Sequence, residues 1–251
     1  MTAGGVLLAA LFFAAALVYA SVGFGGGSAY LALLTLWGLP PADVSVVALV
    51  CNVVVVTGGS WHFVRAGHAR ARLLVPFLLT SVPAAALGGT LVVPTDALRL
   101  ATGVALAAAA VALAVEVRRR AVVPVEAIPA RRLWAGGAAL GAGLGGLAGV
   151  IGIGGGIFLA PALYALGWGT PKQIAATASL FILVNSLAGL AGKAVALGGL
   201  DVWAHVPLFV AVLAGGQIGS RLGARRWPPV AVKRVTAAVV LVAAVNLLVQ
   251  R

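Results

Sequence analysis

The sequence predicts an all-α integral membrane protein built from two inverted-topology repeats of about five hydrophobic segments each. Three observations carry that prediction. Hydrophobic residues make up 62% of the 251-residue chain and charged residues only 9%, with a mean hydropathy of +1.13. A soluble domain needs about 25% charged residues to cover its surface. Apolar runs of about 20 residues, enough to cross a bilayer, follow one another almost without pause. A glycine cluster also occurs twice inside such runs, as "VGFGGGSAY" from Val22 to Tyr30 and "IGIGGGIFL" from Ile151 to Leu159. Runs such as "ALAAAAVALAV" (Ala105–Val115) lack the alternating polarity of a β-barrel strand.

Taken in order, the first half places its segments near 4–22, 26–38, 42–64, 72–93 and 96–117. The second half places them near 133–151, 155–167, 171–196, 202–224 and 229–249. The first segment has no basic start and more membrane segments follow it, so it reads as a retained helix and not a cleaved signal. Residues 1–117 and 133–251 are thus expected as two transmembrane repeats, with 118–132 as a polar cytoplasmic connector. The second segment of each half is too short to span comfortably. Glycines precede it, and "GLPP" or "GWGTP" follows it. At a shift of 129 residues Gly23, Gly25, Gly26 and Gly27 fall on Gly152, Gly154, Gly155 and Gly156. After a one-residue gap Pro41 falls on Pro171 and Gly59 on Gly189. An ordered match of this kind marks an internal repeat.

The net charge of +12 does not point to nucleic acid here. Most of the 17 lysines and arginines sit in the loops after segments three, five and nine, which share one side if every segment is a crossing. Basic excess marks the cytoplasmic face, so both termini are expected outside a cytoplasmic (inner) membrane crossed several times. Re-entrant short segments would leave that sidedness unchanged. Five segments per half also start the second half from the opposite side, an arrangement common among secondary transporters.

The clusters miss the G-x-G-x-x-G spacing of a nucleotide loop. Gly141, Gly143 and Gly146 fit it, but no strand precedes them, and they read as close helix packing. Three consecutive glycines break a helix. Backbone freed at membrane depth must be satisfied by protein or by a water-lined cavity, so a recurring break points to a binding site between the halves. Each new helix presents free N–H groups and a positive dipole end there, which favours a small anion. The candidate substrate-binding residues are Gly25, Gly26, Gly27, Ser28, Asn52, Gly154, Gly155, Gly156, Ser179, Asn185, Ser186 and Lys193. Lys172, Ser179, Ser186 and Lys193 recur every seven residues along one helical face, and Lys193 is an intramembrane cation. The third segment also offers Ser45 and Thr57. His62 is expected in an interfacial loop beside Trp61 rather than in a proton relay, and Asp43, Asp96 and Asp201 as solvated residues near segment ends. No acidic residue sits at mid-depth, so no carboxylate proton relay is foreseen.

The stretches "ASVGFGGGSAYLALLTLWGLPP", "WHFVRAGH" (Trp61–His68), "GVIGIGGGIFLAPAL" and "ATASLFILVNSLAGLAGK" resemble the sulfite exporter TauE/SafE family of membrane transporters. The resemblance covers nearly the whole chain. It implies movement of small sulfur-containing anions (sulfite, sulfoacetate or other organosulfonates), with export as the direction the family name suggests. Carboxylates, phosphonates and thiosulfate are the rival anions. A non-transporting scaffold or an intramembrane enzyme is a weaker alternative: Ser186 and Lys193 are two turns apart and make a poor dyad, and Cys51 is the only cysteine, so no thiolate metal cluster is expected. The chain is read as a transporter and not an enzyme, with no cofactor and no metal. Its expected partners are the small anion and the lipid bilayer, with a homo-oligomer allowed and nucleic acid excluded. Where the first half has "VVTGG" the second has "NSLAG", with Val55 opposite Asn185, so the site is not expected to be symmetric.

The orientation is testable in cells. In a Cys51→Ser background, Arg70→Cys and Arg225→Cys should resist membrane-impermeant maleimide until lysis; labelling of either in intact cells would overturn the assignment.

Overall fold

The computed structural model describes residues 3–91, 103, 107, 123–197 and 202–249. Of the fifth segment of the first half (96–117) only residues 103 and 107 are described; the cluster Arg118–Arg120, Asp96 and Asp201 lie outside the described residues. Among the described residues the fold is all α, with no strand beyond an isolated bridge between Val123 and Trp168. The helices are α1 (Ala3–Ser21), α2 (Gly27–Leu36), α3 (Pro41–Arg65), α4 (Ala71–Thr90), α5 (Ala130–Ile151), α6 (Gly156–Leu166), α7 (Pro171–Leu197), α8 (Val206–Arg221) and α9 (Pro229–Val249). Among the described residues six helical stretches are long and apolar enough to cross a membrane; α2 and α6 are apolar but shorter.

Local sequence sets these boundaries. Gly23, at φ 84°, ends α1, and Gly152, at φ 83°, ends α5; only glycine enters this left-handed region at little cost. Pro41 and Pro171 open α3 and α7, where the missing N–H would have had no helical acceptor anyway. Thr170 and Gln173 cap α7 reciprocally: Thr170 N–H donates to Gln173 Oε1 at 2.8 Å, and Gln173 N–H donates to Thr170 Oγ1 at 3.3 Å.

The packing is reciprocal between the halves. The first helix of each half lies on the fourth of the other, α1 on α8 and α5 on α4. The two third helices, α3 and α7, pack on each other, and each also packs on the other half's fourth helix. Glycine stripes make the outer seams close. A side chain at Gly215, Gly219 or Gly223 would collide with the carbonyls of Phe13, Leu17 and Ser21 on α1. On the opposite seam Gly141, Gly145 and Gly149 face the carbonyls of Phe77, Ser81 and Ala85 in the same way, and Gly137 lies against the side chain of Pro76. In lipid, where apolar surface gains nothing by leaving water, backbone approach of this kind is a main source of helix association. At the α3–α7 crossing Gly59 leaves room for Ser179, whose hydroxyl meets that of Ser60 at 3.1 Å.

Basic residues gather at one end of the bundle. The Arg72 guanidinium donates to Ile128 O at 2.8 Å, Arg70 pairs with Glu126 at 3.6 Å, and both Lys172 Nζ (3.3 Å) and His68 Nε2 (3.1 Å) reach Ala224 O. The chain around Arg65–Arg72, the segment before α5 and the turn after α8 therefore share one end.

Gly145→Leu should lower the thermal unfolding midpoint in detergent, at a cost of about 1–3 kcal/mol for overpacking. Gly143, two residues away, has no described atom within 4 Å of where a Cβ would stand, so Gly143→Ala should be neutral or stabilising by about 0.5–1 kcal/mol. Equal losses at both positions would contradict the seam.

Candidate functional site

The two glycine breaks meet at Asn52. This residue lies midway along α3 and is fully buried. Its Nδ2 donates to Ile153 O, inside the second break, at 3.1 Å. Its side chain also fills the space that Cβ atoms at Gly25 and Gly27, in the first break, would take. Ile153 O lies 3.0 Å from where a Cβ at Gly27 would stand, so the two breaks touch directly. A Cβ at Gly154 would lie 2.7 Å from Ser186 Oγ and 3.0 Å from Asn52 Nδ2. Gly25, Gly27, Asn52, Gly154 and Ser186 are therefore neighbours, drawn from α3, α7 and the starts of α2 and α6.

The backbone there presents the amides of two helix starts. Ala29 and Tyr30 make the first bonds of α2, to Gly26 O, and Phe158 and Leu159 make those of α6, to Gly155 O. The amides of Gly27 and Ser28, and of Gly156 and Ile157, precede those ladders, as the first amides of any helix do. Gly26 (φ 98°) and Gly155 (φ 77°) hold the turns that aim them. Gly26 sits over the ring of Tyr30, Gly155 beside Phe181, and Gly156 against Ile182. The Ser28 hydroxyl is engaged with Tyr19 OH at 3.1 Å. Two buried oxygens at the junction, Asn52 Oδ1 and Ser186 Oγ, have no hydrogen-bond partner among the described residues. The junction thus combines backbone donors and helix dipoles with one amide acceptor and one hydroxyl that can do either.

The halves correspond closely at the flanks and differ at the centre. Gly23 abuts Ala175 on α7, and Gly152 abuts Ser45 on α3. The same register that relates Ser45 to Ala175 relates Asn52 to Ile182, which packs on Gly154 and Gly156. One half contributes an amide where the other contributes an apolar side chain.

Three candidates from the sequence are not drawn into this junction by any of these contacts. Ser179 belongs to the α3–α7 seam, bonded to Ser60 and, at 3.5 Å, to Val56 O. Asn185 turns Nδ2 back onto Phe181 O of its own helix at 2.8 Å. Lys193 lies two helical turns beyond Ser186, about 10.5 Å along the axis, and is half-buried. Thr57 is exposed and bonds Val53 O at 2.7 Å. Asp43 is exposed in the first turn of α3, as expected. The expectation for His62 is corrected: it is part of α3, not of a loop, and is only 7% exposed. Gln217 and Arg221 of α8 hold its ring. The sequence signal for this trio is Gln217 itself, an uncharged polar residue inside the apolar run "VAVLAGGQIGS".

The family model for the sulfite exporter TauE/SafE matches residues 7–247. The chain belongs to that family. A TauE/SafE relative is the "Probable membrane transporter protein y4hK" of Sinorhizobium fredii, 35% identical over 223 residues and covering 87% of each chain. No solved structure matches the chain. Membership bears out the resemblance read from the glycine motifs, and this TauE/SafE chain is a multi-pass membrane transporter.

Asn52→Ala should lower the thermal unfolding midpoint by the equivalent of about 1–3 kcal/mol, because Ile153 O loses its partner in a buried setting. Asn185→Ala should cost less, because Phe181 O has its own helical bond. The reverse ranking would remove Asn52 from its place as the tie between the breaks.

Proposed function

We propose that the protein carries a small sulfur-containing anion, such as sulfite, sulfoacetate or another organosulfonate, by alternating exposure of the junction between the two breaks. The observation that carries this reading is the convergence on Asn52 of two short helices that start, rather than end, at the same place. Helix starts attract anions through free amides and the dipole, and they do so without a buried charged side chain. The unpaired Asn52 Oδ1 suits an oxyanion that still carries a proton, because it accepts where the surrounding amides donate. Ser186 Oγ–H is free to donate to an anion oxygen. Family membership supports sulfur as the element, and reciprocal packing of the halves supports an inverted repeat whose third helices, α3 and α7, form the crossing about which the exposure changes. The basic end of the bundle faces the cytoplasm in this reading, with both termini outside the inner membrane. Export is the direction the family description suggests, driven by whichever gradient is present.

Labelled sulfite and sulfoacetate should enter proteoliposomes saturably and compete with each other. Gly154→Val should abolish uptake, since the β-branched side chain meets Ser186, Ile182 and Asn52 and φ is 78°. Ser186→Ala should weaken apparent affinity by about 1 kcal/mol, about fivefold. Lys193→Gln should change it less than Ser186→Ala does. Transport of a cation or a neutral solute without competition by these anions would overturn the reading.

A further inference from the structure

At the basic end of the bundle, one ring nitrogen has two partners with opposite requirements. His62 Nε2 lies 2.8 Å from Gln217 Oε1, an acceptor, and 3.3 Å from Arg221 Nε, whose hydrogen points at it. With a hydrogen, Nε2 satisfies Gln217 and repels the Arg221 N–H. With a lone pair, it accepts from Arg221 and faces the Gln217 oxygen unsatisfied. Turning the Gln217 amide over gives two donors for one lone pair, so the conflict stays. Gly58 leaves the space that Gln217 fills, so the glutamine is seated between α3 and α8. His62 is buried while Arg221, the last residue of α8, is exposed. The guanidinium can leave; the ring cannot.

We propose that His62, Gln217 and Arg221 form a proton-linked landing site for a small oxyanion, at the end of the bundle where the basic loops meet. This rests on the anion-transport reading above. Neutral His62, with its hydrogen on Nδ1, holds Arg221 through the Nε2 lone pair. One proton from water, taken up at Nε2, is then donated in a hydrogen bond to Gln217 Oε1, and Arg221 swings free. The guanidinium, a planar fork matched to two oxygens of a sulfonate or similar group, then binds the anion beside an imidazolium. The anion's negative charge attracts both positive groups, so anion capture and proton uptake support each other. Histidine suits the role because it changes charge near neutral pH.

The surroundings contribute positive charge. On its own helix His62 has Arg65, which lies over the Trp61 ring at 5.5 Å. The loop that follows brings His68, and α7 brings Lys172, both bonded to Ala224 O in the turn after Arg221. Burial, followed by Lys172 and Arg70, holds the His68 imidazole below its ordinary range, against the pull of its bond to Ala224 O. Arg225 and Arg226 close the same turn. The acidic residues among the described ones are Glu126, paired with Arg70, and Asp43, at the far end of α3. The local field therefore favours a bound anion at this end of the bundle.

The test uses the full chain in nanodiscs with 15N-labelled arginine and histidine. The probe is methanesulfonate, whose charge is constant near neutral pH. The Arg221 Nε and His62 ring resonances should titrate with one midpoint, and in His62→Asn the Arg221 signal should no longer move over that range. Methanesulfonate should perturb Arg221, with an apparent affinity that falls about tenfold per pH unit above the midpoint. His62→Asn should flatten that slope, and Arg221→Gln should remove the perturbation while His62 still titrates. Independent titration of His62 and Arg221, or an affinity with the same pH slope in wild type and His62→Asn, would overturn the proposal. Failure of the transport reading looks different: no uptake of sulfite or sulfoacetate into proteoliposomes, with the shared midpoint and the pH-linked binding at Arg221 intact.

Discussion

A polypeptide that leaves the helical conformation inside a membrane must find partners for every amide and carbonyl it frees. This chain leaves it twice, and the rest of the structure follows from how the debt is met. The breaks are placed against each other, so that Ile153 O in one receives its hydrogen bond from the Asn52 side chain packed on the other. Asn52 can reach because α3 crosses α7 beside the junction, and the crossing is close because Gly59 and the Ser60–Ser179 pair occupy little volume. The outer helices need glycine stripes so that α1 and α8, and α4 and α5, can close around that centre. A bulky residue in any of these layers would separate the breaks and strand their backbone groups.

The architecture was legible in the sequence because its causes are local. Apolar run lengths set the helices, proline and glycine set their ends, and α1, α3, α7 and α9 lie within a few residues of the expected bounds. The glycine clusters announced the breaks, since three glycines in an apolar run have few other uses. The candidate site was legible only in part. Gly25, Gly27, Asn52, Gly154 and Ser186 come together, but a seven-residue period cannot tell which neighbour each turn of a helix meets. Ser179 and Ser186 share that period, yet one faces α3 and the other faces the second break. Asn185 is polar and buried, and its own helix takes the hydrogen bond from its Nδ2.

His62 shows the other limit. Its place between an exposed tryptophan and the basic loop suggested an interface, because its neighbours in sequence are what the eye can see. Its neighbours in space, Gln217 and Arg221, are more than 150 residues away. Contacts at that separation follow from the reciprocal packing of the halves, which places the fourth helix of one half on the third of the other.

The shortness of α2 and α6 has an electrical consequence. At 10 and 11 residues each is about 15–16 Å long, close to half of a hydrocarbon layer about 30 Å thick. Placed end to end, the two would divide the insulating layer into two thin dielectric slabs with the broken backbone between them. A monovalent ion moving from either solution to that plane would cross about half of the transmembrane voltage, or about 1 kcal/mol for each 100 mV. Occupancy of such a plane would respond to the membrane potential in opposite directions from the two sides, so a bundle with so few charges of its own would still feel the voltage through what it carries.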